Sequence, residues 1–471
     1  MSTTPLHGWG RHPIIEATTV CSEDLRRAGR GAVLSRGLGR AYGDAALPPE
    51  GCTRPVSIST RADRILGFDP STGLLRAEAG LSLSELARLY LPRGWFSPVS
   101  PGTQHVTLGG MVASDIHGKN HHVDGTFGNF VRALVLQLAD GTVLEISRDA
   151  HSELFAATLG GMGLTGHILE VAVELTPVPS PWIYEESERL GSLREIFAGL
   201  QAASDTWPMT VAWIDTSATG ASTGRGILMR GRWATASEAP DHPPGPRPSI
   251  PVPFTLPSGL LNRATIRLLN TVWYRKHRAR ARAHVTHPGA FFWQLDMASD
   301  WYRVYGRRGF AQYQCVMPRE LEIFECFLAR FQELGGCSFV TVLKDCGPQG
   351  EGLLSFPQAG TSMALDIPIT SVEATTALIR QLDAFVLDHG GRVYLAKDAF
   401  TSPEAFRRMY PRWEAFEAVR DRYDPQRRLA SAQSMRLLGD RPRRQVASQR
   451  SESEAPRAIK AGSPTATVNT V

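Results

Sequence analysis

Ser35-Arg36-Gly37-Leu38-Gly39-Arg40-Ala41-Tyr42-Gly43-Asp44 is a glycine-dense stretch between apolar, strand-like flanks, and a second such stretch follows further along the chain. The second one contains Pro101-Gly102-Thr103, then Gly109-Gly110, and runs on to Asp115-Ile116-His117-Gly118-Lys119-Asn120-His121-His122. Glycine lets a backbone approach a ligand closely, and successive backbone N–H groups in such loops form concave sites for anions. Two loops of this kind suit a ligand with two adjacent phosphates, such as a dinucleotide.

The first loop departs from the familiar dinucleotide fingerprint. Gly37-x-Gly39 is followed by Gly43, one position too late for Gly-x-Gly-x-x-Gly, and Pro48-Pro49 stands where an apolar helical face should begin. An NAD-linked dehydrogenase is therefore disfavoured. The occurrence of two glycine loops, and not either loop alone, supports the prediction of a ligand with two adjacent phosphates.

The bulk composition is that of an ordinary globular protein. The chain has 471 residues, of which 42% are hydrophobic and 21% charged, and a formal net charge of +5, which does not indicate nucleic-acid binding. No apolar run is long enough to span a bilayer, and the N-terminus lacks the apolar core of a signal peptide. We expect a cytoplasmic protein or one that is peripheral at a membrane. The six scattered cysteines predict neither a metal site nor a disulfide framework, but small buried side chains.

The order of apolar runs and turns predicts an α+β organisation. In residues 8–177 a helix follows Ser82, with Glu85 three residues on, and a hairpin turns at Asp140-Gly141. A second region, 180–388, combines strands and helices around a proline-rich segment, 237–257, which we predict to be a linker or mobile lid. Residues 440–471 have few large apolar side chains and are predicted to be disordered.

These motifs resemble a known family. Arg36–Asp44, Gly109–His122 and Gly160-Gly161-x-Gly163-Leu164-Thr165-Gly166 resemble the FAD-binding domain of the vanillyl-alcohol-oxidase superfamily. More narrowly, residues 8–438 are similar to the decaprenylphosphoryl-β-D-ribose 2-oxidases, above all in His117–His122. The resemblance implies a two-domain fold of the p-cresol-methylhydroxylase (PCMH) type. Residues 8–177 would bind FAD, 180–388 would bind substrate on an antiparallel sheet flanked by helices, and 389–438 would return to the FAD domain.

The resemblance also implies which residues hold the cofactor. A first wall would comprise Ser35, Arg36, Gly37, Leu38, Gly39, Arg40, Ala41, Tyr42, Gly43, Asp44 and Ala45. A second wall would comprise Gly102, Thr107, Leu108, Gly109, Gly110, Ser114, Asp115, Ile116 and His117, with Ile168 near the adenosine and Tyr394 over the flavin. Some superfamily members attach FAD through a histidine in the first loop. No histidine occurs from Ala32 to Pro48, so we expect noncovalent FAD, with His117 as the alternative tether.

The implied chemistry is alcohol oxidation, in which hydride passes to flavin N5 while a base takes the hydroxyl proton. Lys397, His117 and Tyr394 form the expected catalytic set. Lys397 could be the base, if burial or a neighbouring cation lowers its pKa, or a hydrogen-bond donor to the sugar hydroxyl or a flavin carbonyl. For the substrate, Trp213, Tyr305 and Gln314 would line the pocket, and Lys344, Asp366 and Lys397 would contact the polar head. Taken alone, Trp213 and Tyr305 are more often core aromatics, and strand parity leaves open whether Gln314 faces the ligand or solvent.

The expected reaction is the first half of an epimerisation. A polyprenylphosphoryl ribose would become its 2-keto form, and a separate NAD(P)H-dependent keto-reductase would finish the conversion. The alternatives are an oxidase of free sugars or alditols and a flavin-binding scaffold without catalysis. Relatives carry a cysteine where this chain has Ala364, which leaves room for a different glycosyl substrate. The basic segment Trp273–Arg282 could meet lipid phosphate or an anionic membrane, or be a solvated helix face.

Overall fold

The computed structural model describes residues 3–441, so the predicted disordered tail falls almost wholly outside the described residues. Within them the strands are β1 (Thr3–His7), β2 (Ile14–Cys21), β3 (Leu34–Arg36), β4 (Val56–Ile58), β5 (Ile65–Asp69), β6 (Leu74–Glu78), β7 (Trp95–Phe96), β8 (Val131–Gln137), β9 (Val143–Ser147), β10 (His167–Glu174), β11 (Thr176–Pro177), β12 (Ile183–Leu190), β13 (Met209–Ile214), β14 (Gly226–Trp233), β15 (Ile250–Pro251), β16 (Arg282–Thr286), β17 (Ala298–Ser299), β18 (Phe310–Met317), β19 (Thr341–Cys346), β20 (Gly360–Pro368) and β21 (Arg392–Val393). The α-helices are α1 (Leu25–Gly29), α2 (Leu83–Tyr90), α3 (Leu108–Ala113), α4 (His121–Asp124), α5 (Ser152–Thr158), α6 (Leu193–Ser204), α7 (Arg263–Lys276), α8 (Pro288–Phe292), α9 (Leu321–Glu333), α10 (Val372–Asp388), α11 (Pro403–Met409), α12 (Trp413–Tyr423) and α13 (Ala432–Leu438).

Two sheets organise the N-terminal part. One has the order β1-β2-β4-β3, with β4 parallel to both of its neighbours, and the other is antiparallel with the order β5-β6-β10-β8-β9. Local signals fix their connections. Ser82 caps α2 by accepting a hydrogen bond from the Glu85 N–H, and the turn between β8 and β9 holds Gly141 at a φ of 96°. The helix and the hairpin predicted from these residues are confirmed.

An eight-stranded sheet forms the second unit, in the order β16-β12-β14-β13-β19-β20-β18-β21, with antiparallel pairing throughout. Helices cover one face: the Tyr313 hydroxyl on β18 donates to Asp383 of α10 over 2.9 Å. Side chains alternate along a strand, so Gln312 and Gln314 project from the opposite face. That face looks toward the two glycine loops. The α+β, two-unit PCMH-type fold expected from the sequence is thereby confirmed.

The C-terminal residues connect the two units. After α10 the chain adds β21 to the large sheet and makes a short 3₁₀ turn at Leu395–Lys397. It then forms α11, which packs on α10 and β21, and α12 and α13, which contact α5 and the first glycine loop of the N-terminal unit. Arg436 on α13 donates to Asp44 in the first glycine loop, at 2.8 and 3.0 Å, and to Asp398 at 3.0 Å. This ionic contact fixes the loop relative to the segment that carries Lys397.

The proline-rich segment 237–257 is mostly exposed and contains one short strand, β15, paired with β17. Trp182 donates to the carbonyl of His242 over 2.8 Å, and Ser249 donates to that of Asp296 over 2.8 Å. Its motion as a lid stays a prediction. The expectation of buried cysteines is wrong for Cys21 and Cys326, which are exposed. Among residues 3–441 no helix combines the length and apolar character needed to cross a bilayer.

Candidate active site

A large cavity lies between the two glycine loops and the open face of the eight-stranded sheet. Its empty space, including the open mouth, is about 2070 Å³. The predicted residues that line it are Ser35, Gly37, Leu38, Gly39, Arg40, Ala41, Tyr42, Ala45, Gly102, Thr107, Gly109, Gly110, Ser114, Ile116, His117, Ile168, Gln314, Lys344, Tyr394 and Lys397. Residues that are far apart in the sequence therefore meet around one cavity.

The two glycine loops interlock at Gly37 and Thr107. A Cβ built on Gly37 would lie 2.3 Å from Thr107 Oγ1, so only glycine permits this approach. Thr107 also caps α3 by accepting from the Gly110 N–H over 3.2 Å, and Gly39 has a positive φ of 69°. Glycines of both loops, Gly37 and Gly39 from the first and Gly109 and Gly110 from the second, line the space between them. Such a cradle fits a diphosphate.

A cation adjoins this cradle. The Arg40 guanidinium stacks on the ring of Trp9 at 3.8 Å, and its buried Nε has no hydrogen-bond partner among the described residues. Burial lowers the pKa of Arg40, although Asp296 opposes this shift. A buried, unpartnered donor beside a glycine cradle is suited to a phosphate or flavin oxygen.

Five residues predicted to hold the cofactor lie outside the cavity lining, where they support the loops. Arg36 donates to the carbonyls of Ala46 (3.0 Å) and His7 (2.7 Å). Gly43 is packed so tightly that an added Cβ would lie 1.8 Å from the Asp398 carbonyl oxygen. Asp44 is held by Arg436, as described above.

The other two belong to the second loop. Leu108 is fully buried in the hydrophobic core. Asp115 accepts from the Gly128 N–H over 2.9 Å and from the Ser355 hydroxyl, so it pins its own loop. Side chains engaged in this way shape the cradle and do not face its contents.

Three residues predicted to contact substrate are also absent from the cavity lining and pack beside it. Trp213 packs against Tyr274, and its indole N–H donates to the Phe339 carbonyl over 3.2 Å. The Tyr305 hydroxyl donates to Asp366 Oδ2 over 3.2 Å. Asp366 is fully buried and also accepts a hydrogen bond from Gln312 over 2.6 Å, so it orients the Gln312 side chain.

An aromatic cluster carries the expected catalytic residues. The ring of His117 lies 5.2 Å from that of Tyr394 and 5.4 Å from that of Phe356. The Tyr394 hydroxyl donates to the Ser114 carbonyl over 2.9 Å, which ties it to the second loop. His117 contacts Lys344 through Nδ1 and lies 3.2 Å from the Gln314 amide through Nε2. Burial, with Lys344 next in size, holds the pKa of His117 well below its usual value, so the imidazole is neutral.

Lys397 is placed by the backbone between the large sheet and the first loop. Its N–H donates to the Tyr394 carbonyl (2.9 Å), and the neighbouring Ala396 carbonyl accepts from the Tyr42 N–H (2.9 Å). Its Nζ lies 5.4 Å from the centre of the Tyr42 ring and makes no hydrogen bond within residues 3–441. Burial lowers the pKa of Lys397 to about 7; Asp366 opposes this shift and Lys344 adds to it. The amine can therefore exchange a proton near neutral pH.

Two further polar side chains line the cavity although the sequence patterns assign them no role. Lys119 donates to the Phe291 carbonyl, and burial lowers the pKa of this lysine to about 8. Gln312 faces the cavity with a buried Oε1 that has no partner among the described residues. Lys119 sits within the His117–His122 motif and Gln312 shares the strand face of Gln314, so both signals were present in the sequence.

Comparison with known proteins identifies the families that this chain matches. Residues 23–147 match the FAD binding domain family, and residues 365–437 match the D-arabinono-1,4-lactone oxidase family. With the interlocked glycine cradle, these matches define an enzyme: an FAD-dependent oxidoreductase that acts on CH–OH groups. The glycine cradle and the unpartnered Arg40 Nε fit the diphosphate of FAD.

Similarity to individual proteins narrows this class of FAD-dependent oxidoreductases to one family. The chain is 37% identical to a decaprenylphosphoryl-beta-D-ribose oxidase of Mycolicibacterium smegmatis over 456 residues, which cover 93% of this chain and 98% of that protein. The chain belongs to this oxidase family. It is also 34% identical to an uncharacterized protein of Streptomyces coelicolor, covering 76% of this chain and all of that protein. Mouse L-gulonolactone oxidase is 32% identical over 119 residues, about a quarter of each chain.

Proposed function

We propose that the protein oxidises decaprenylphosphoryl-β-D-ribose to its 2-keto form, using noncovalent FAD. The observation that carries the proposal is the Lys397 amine, which lines the cavity between the cofactor loops and the substrate sheet without a hydrogen-bond partner among residues 3–441. The family relationship supplies the substrate class. A separate NAD(P)H-dependent keto-reductase would reduce the product at the same carbon.

Bound FAD supplies the acceptor for the hydride that leaves the sugar carbon. The C–H bond breaks with its electron pair, the O–H bond of the same alcohol carbon breaks, and Lys397 Nζ takes the proton. Because its pKa is lowered to about 7, much of this lysine is a free amine at neutral pH. His117 is held neutral beside Lys344 and Gln314, where the three form a polar wall for the sugar.

Lys344 is suited to the phosphoryl group of the substrate. It is a buried cation at the cavity wall, with a pKa that burial lowers to about 8. The phosphodiester of such a substrate carries one negative charge, which would favour the protonated form of Lys344. Ala364 lines the same wall, so no thiol is needed for the reaction proposed here.

The positions of the histidines support noncovalent attachment of FAD. The first loop has none, and both ring nitrogens of His117 already contact neighbours, Lys344 and Gln314. Acid precipitation of the purified protein should therefore release all the flavin into the supernatant. Yellow colour retained in the pellet would contradict this attachment.

Anaerobic flavin bleaching tests the substrate. The FAD-loaded protein is mixed with a polyprenylphosphoryl ribose and, separately, with a panel of free alditols. We expect loss of the oxidised flavin band with the lipid-linked sugar only. Bleaching by alditols alone would place the protein among free-sugar oxidases, and a flavin that neither substrate reduces would indicate a non-catalytic scaffold.

A further inference from the structure

Positive charge is concentrated in one acid-free segment. Residues 242–295 contain no Asp or Glu, and their eight basic residues are Arg247, Arg263, Arg267, Arg275, Lys276, Arg278, Arg280 and Arg282. The whole chain carries a formal charge of only +5, so the remainder of the chain is net acidic. A local excess of this kind is an electrostatic feature of a surface, not of the fold.

The helix within this segment, α7, turns apolar side chains outward. Its inner side is fixed by Ile266 and by Asn270, whose amide donates to Asp215 over 2.9 Å. On the outer side Leu268 is 65% exposed and Val272 59% exposed, with Leu269 and Trp273 beside them. Of the fourteen large apolar residues exposed among those described, seven lie between positions 250 and 273. A solvated basic helix would not require this apolar ridge.

An apolar ridge flanked by cations matches a bilayer whose surface is anionic. Apolar side chains insert at the boundary of head groups and acyl chains, while Arg and Lys attract the lipid phosphates. A second copy of this chain is a poorer occupant, because it would set two strongly basic surfaces against each other. We propose that residues 263–282, which comprise α7 and the basic turn after it, form a docking face for an anionic lipid bilayer.

The docking face backs onto the cavity. Tyr274 on α7 packs in one cluster with Val211 and Val342, and both valines line the cavity wall. A lipid-linked sugar anchored in the bilayer would therefore lie close to the cavity wall. This last step rests on the proposed function; the docking itself does not.

Vesicle flotation of the FAD-loaded, full-length chain tests the docking face. Wild-type protein should float with phosphatidylcholine vesicles that contain phosphatidylglycerol, stay behind with pure phosphatidylcholine, and be released by added salt. The double variants Leu268→Ser/Val272→Ser and Arg275→Glu/Lys276→Glu should each lose at least about tenfold in partitioning.

Matched controls separate the face from general charge and apolar content. Ile65→Ser/Leu66→Ser changes two exposed apolar residues on β5, and Arg26→Glu/Arg27→Glu inverts two exposed charges on α1. Both should float like wild type, and all four variants should keep the wild-type FAD content.

Three outcomes would overturn the proposal. They are equal flotation with neutral vesicles, undiminished flotation of the α7 variants, and concentration-dependent self-association without lipid that Leu268→Ser/Val272→Ser abolishes. The last would assign the face to a second copy. None of these measurements uses turnover, so failure of the proposed sugar oxidation would leave the docking result intact.

Discussion

Lys397 takes the proton in the proposed reaction, and its protonation would then give that reaction a definite pH dependence. A lysine with a pKa lowered to about 7 is mostly cationic below that pH and mostly a free amine above it. If the amine is the base, the rate of anaerobic flavin reduction rises with pH through about 7 and then levels off. Stopped-flow reduction across this range measures it. A rate that falls instead as pH rises would identify the cationic form as a hydrogen-bond donor.

The Lys397→Met variant checks the same assignment. It should bind FAD normally but reduce it at least about a hundredfold more slowly, with no rise through neutral pH, because general-base catalysis contributes roughly 10²–10⁴-fold. Lys397→Arg keeps a cation that does not titrate in this range and should be equally slow. Activity of the arginine variant near the wild-type level would exclude the base role.

Arg436 is a second single residue on which the site depends, because it connects the first glycine loop to the segment that carries Lys397. It bridges Asp44 of the first loop and Asp398, next to Lys397, and both carboxylates are nearly buried. Arg436→Met should lower the free energy of unfolding by about 3–5 kcal/mol, because it leaves buried charges without a partner. Denaturant titration measures this loss.

The matched control is Arg422→Met, which removes an exposed ion pair with Glu153. Such pairs contribute about 0–1 kcal/mol, so this variant should resemble wild type. Equal losses in the two variants would show that the buried bridge has no special role.

Among the elements, those with local signals were predictable from the sequence. Ser82 and Glu85 mark the start of α2, and Asp140-Gly141 marks the β8–β9 turn, because capping and turn chemistry act over a few residues. The order β13-β19-β20-β18 depends on pairing between distant residues. Only that order brings Lys344 and Gln314 to one face and leaves Trp213 beneath α7. Strand alternation alone left two possible faces for Gln314. The packing of α10 against the neighbouring Tyr313 shows that Gln314 lies on the other face.

The contact between β18 and α10 contains a titratable group. Burial, with Asp398 next in size, raises the pKa of Asp383 to about 7, while the Tyr313 hydroxyl opposes this shift. The folded state therefore binds the proton more tightly than the unfolded chain, whose aspartates titrate near pH 4. Stability from this proton is complete below about pH 4 and is lost as the pH rises to about 7, by up to about 4 kcal/mol.

Asp383→Asn removes that titration. The difference in unfolding free energy between wild type and variant should shift against wild type as the pH rises from about 4 to 7. Urea unfolding at several pH values measures it. A difference that stays constant with pH would contradict the raised pKa.

At the scale of the whole molecule, FAD bound in the cavity would connect the N-terminal unit to the large sheet as well as serve as the cofactor. Its walls come from the glycine loops of the N-terminal unit, from the large sheet and from the returning segment with Tyr394 and Lys397. The motifs in the sequence, with the family resemblance, were enough to predict the two glycine loops as cofactor walls and Lys344 as a substrate contact. The wall opposite required the assembled sheet, since Gln312, Lys344 and Ala364 come from three different strands.

A ligand that binds only the folded chain stabilises it, by about 2.7 kcal/mol at a hundredfold excess over Kd. With an unfolding entropy of about 2 cal/mol/K per residue, removal of FAD from this chain should lower Tm by about 3 °C. Calorimetry of the apoprotein, titrated back with FAD, measures the change. Riboflavin carries the same ring without the diphosphate, so it should restore much less if the interlocked loops at Gly37 and Thr107 hold the phosphates. Equal stabilisation by riboflavin would mean that binding energy comes from the flavin ring, and that the glycine cradle has another role.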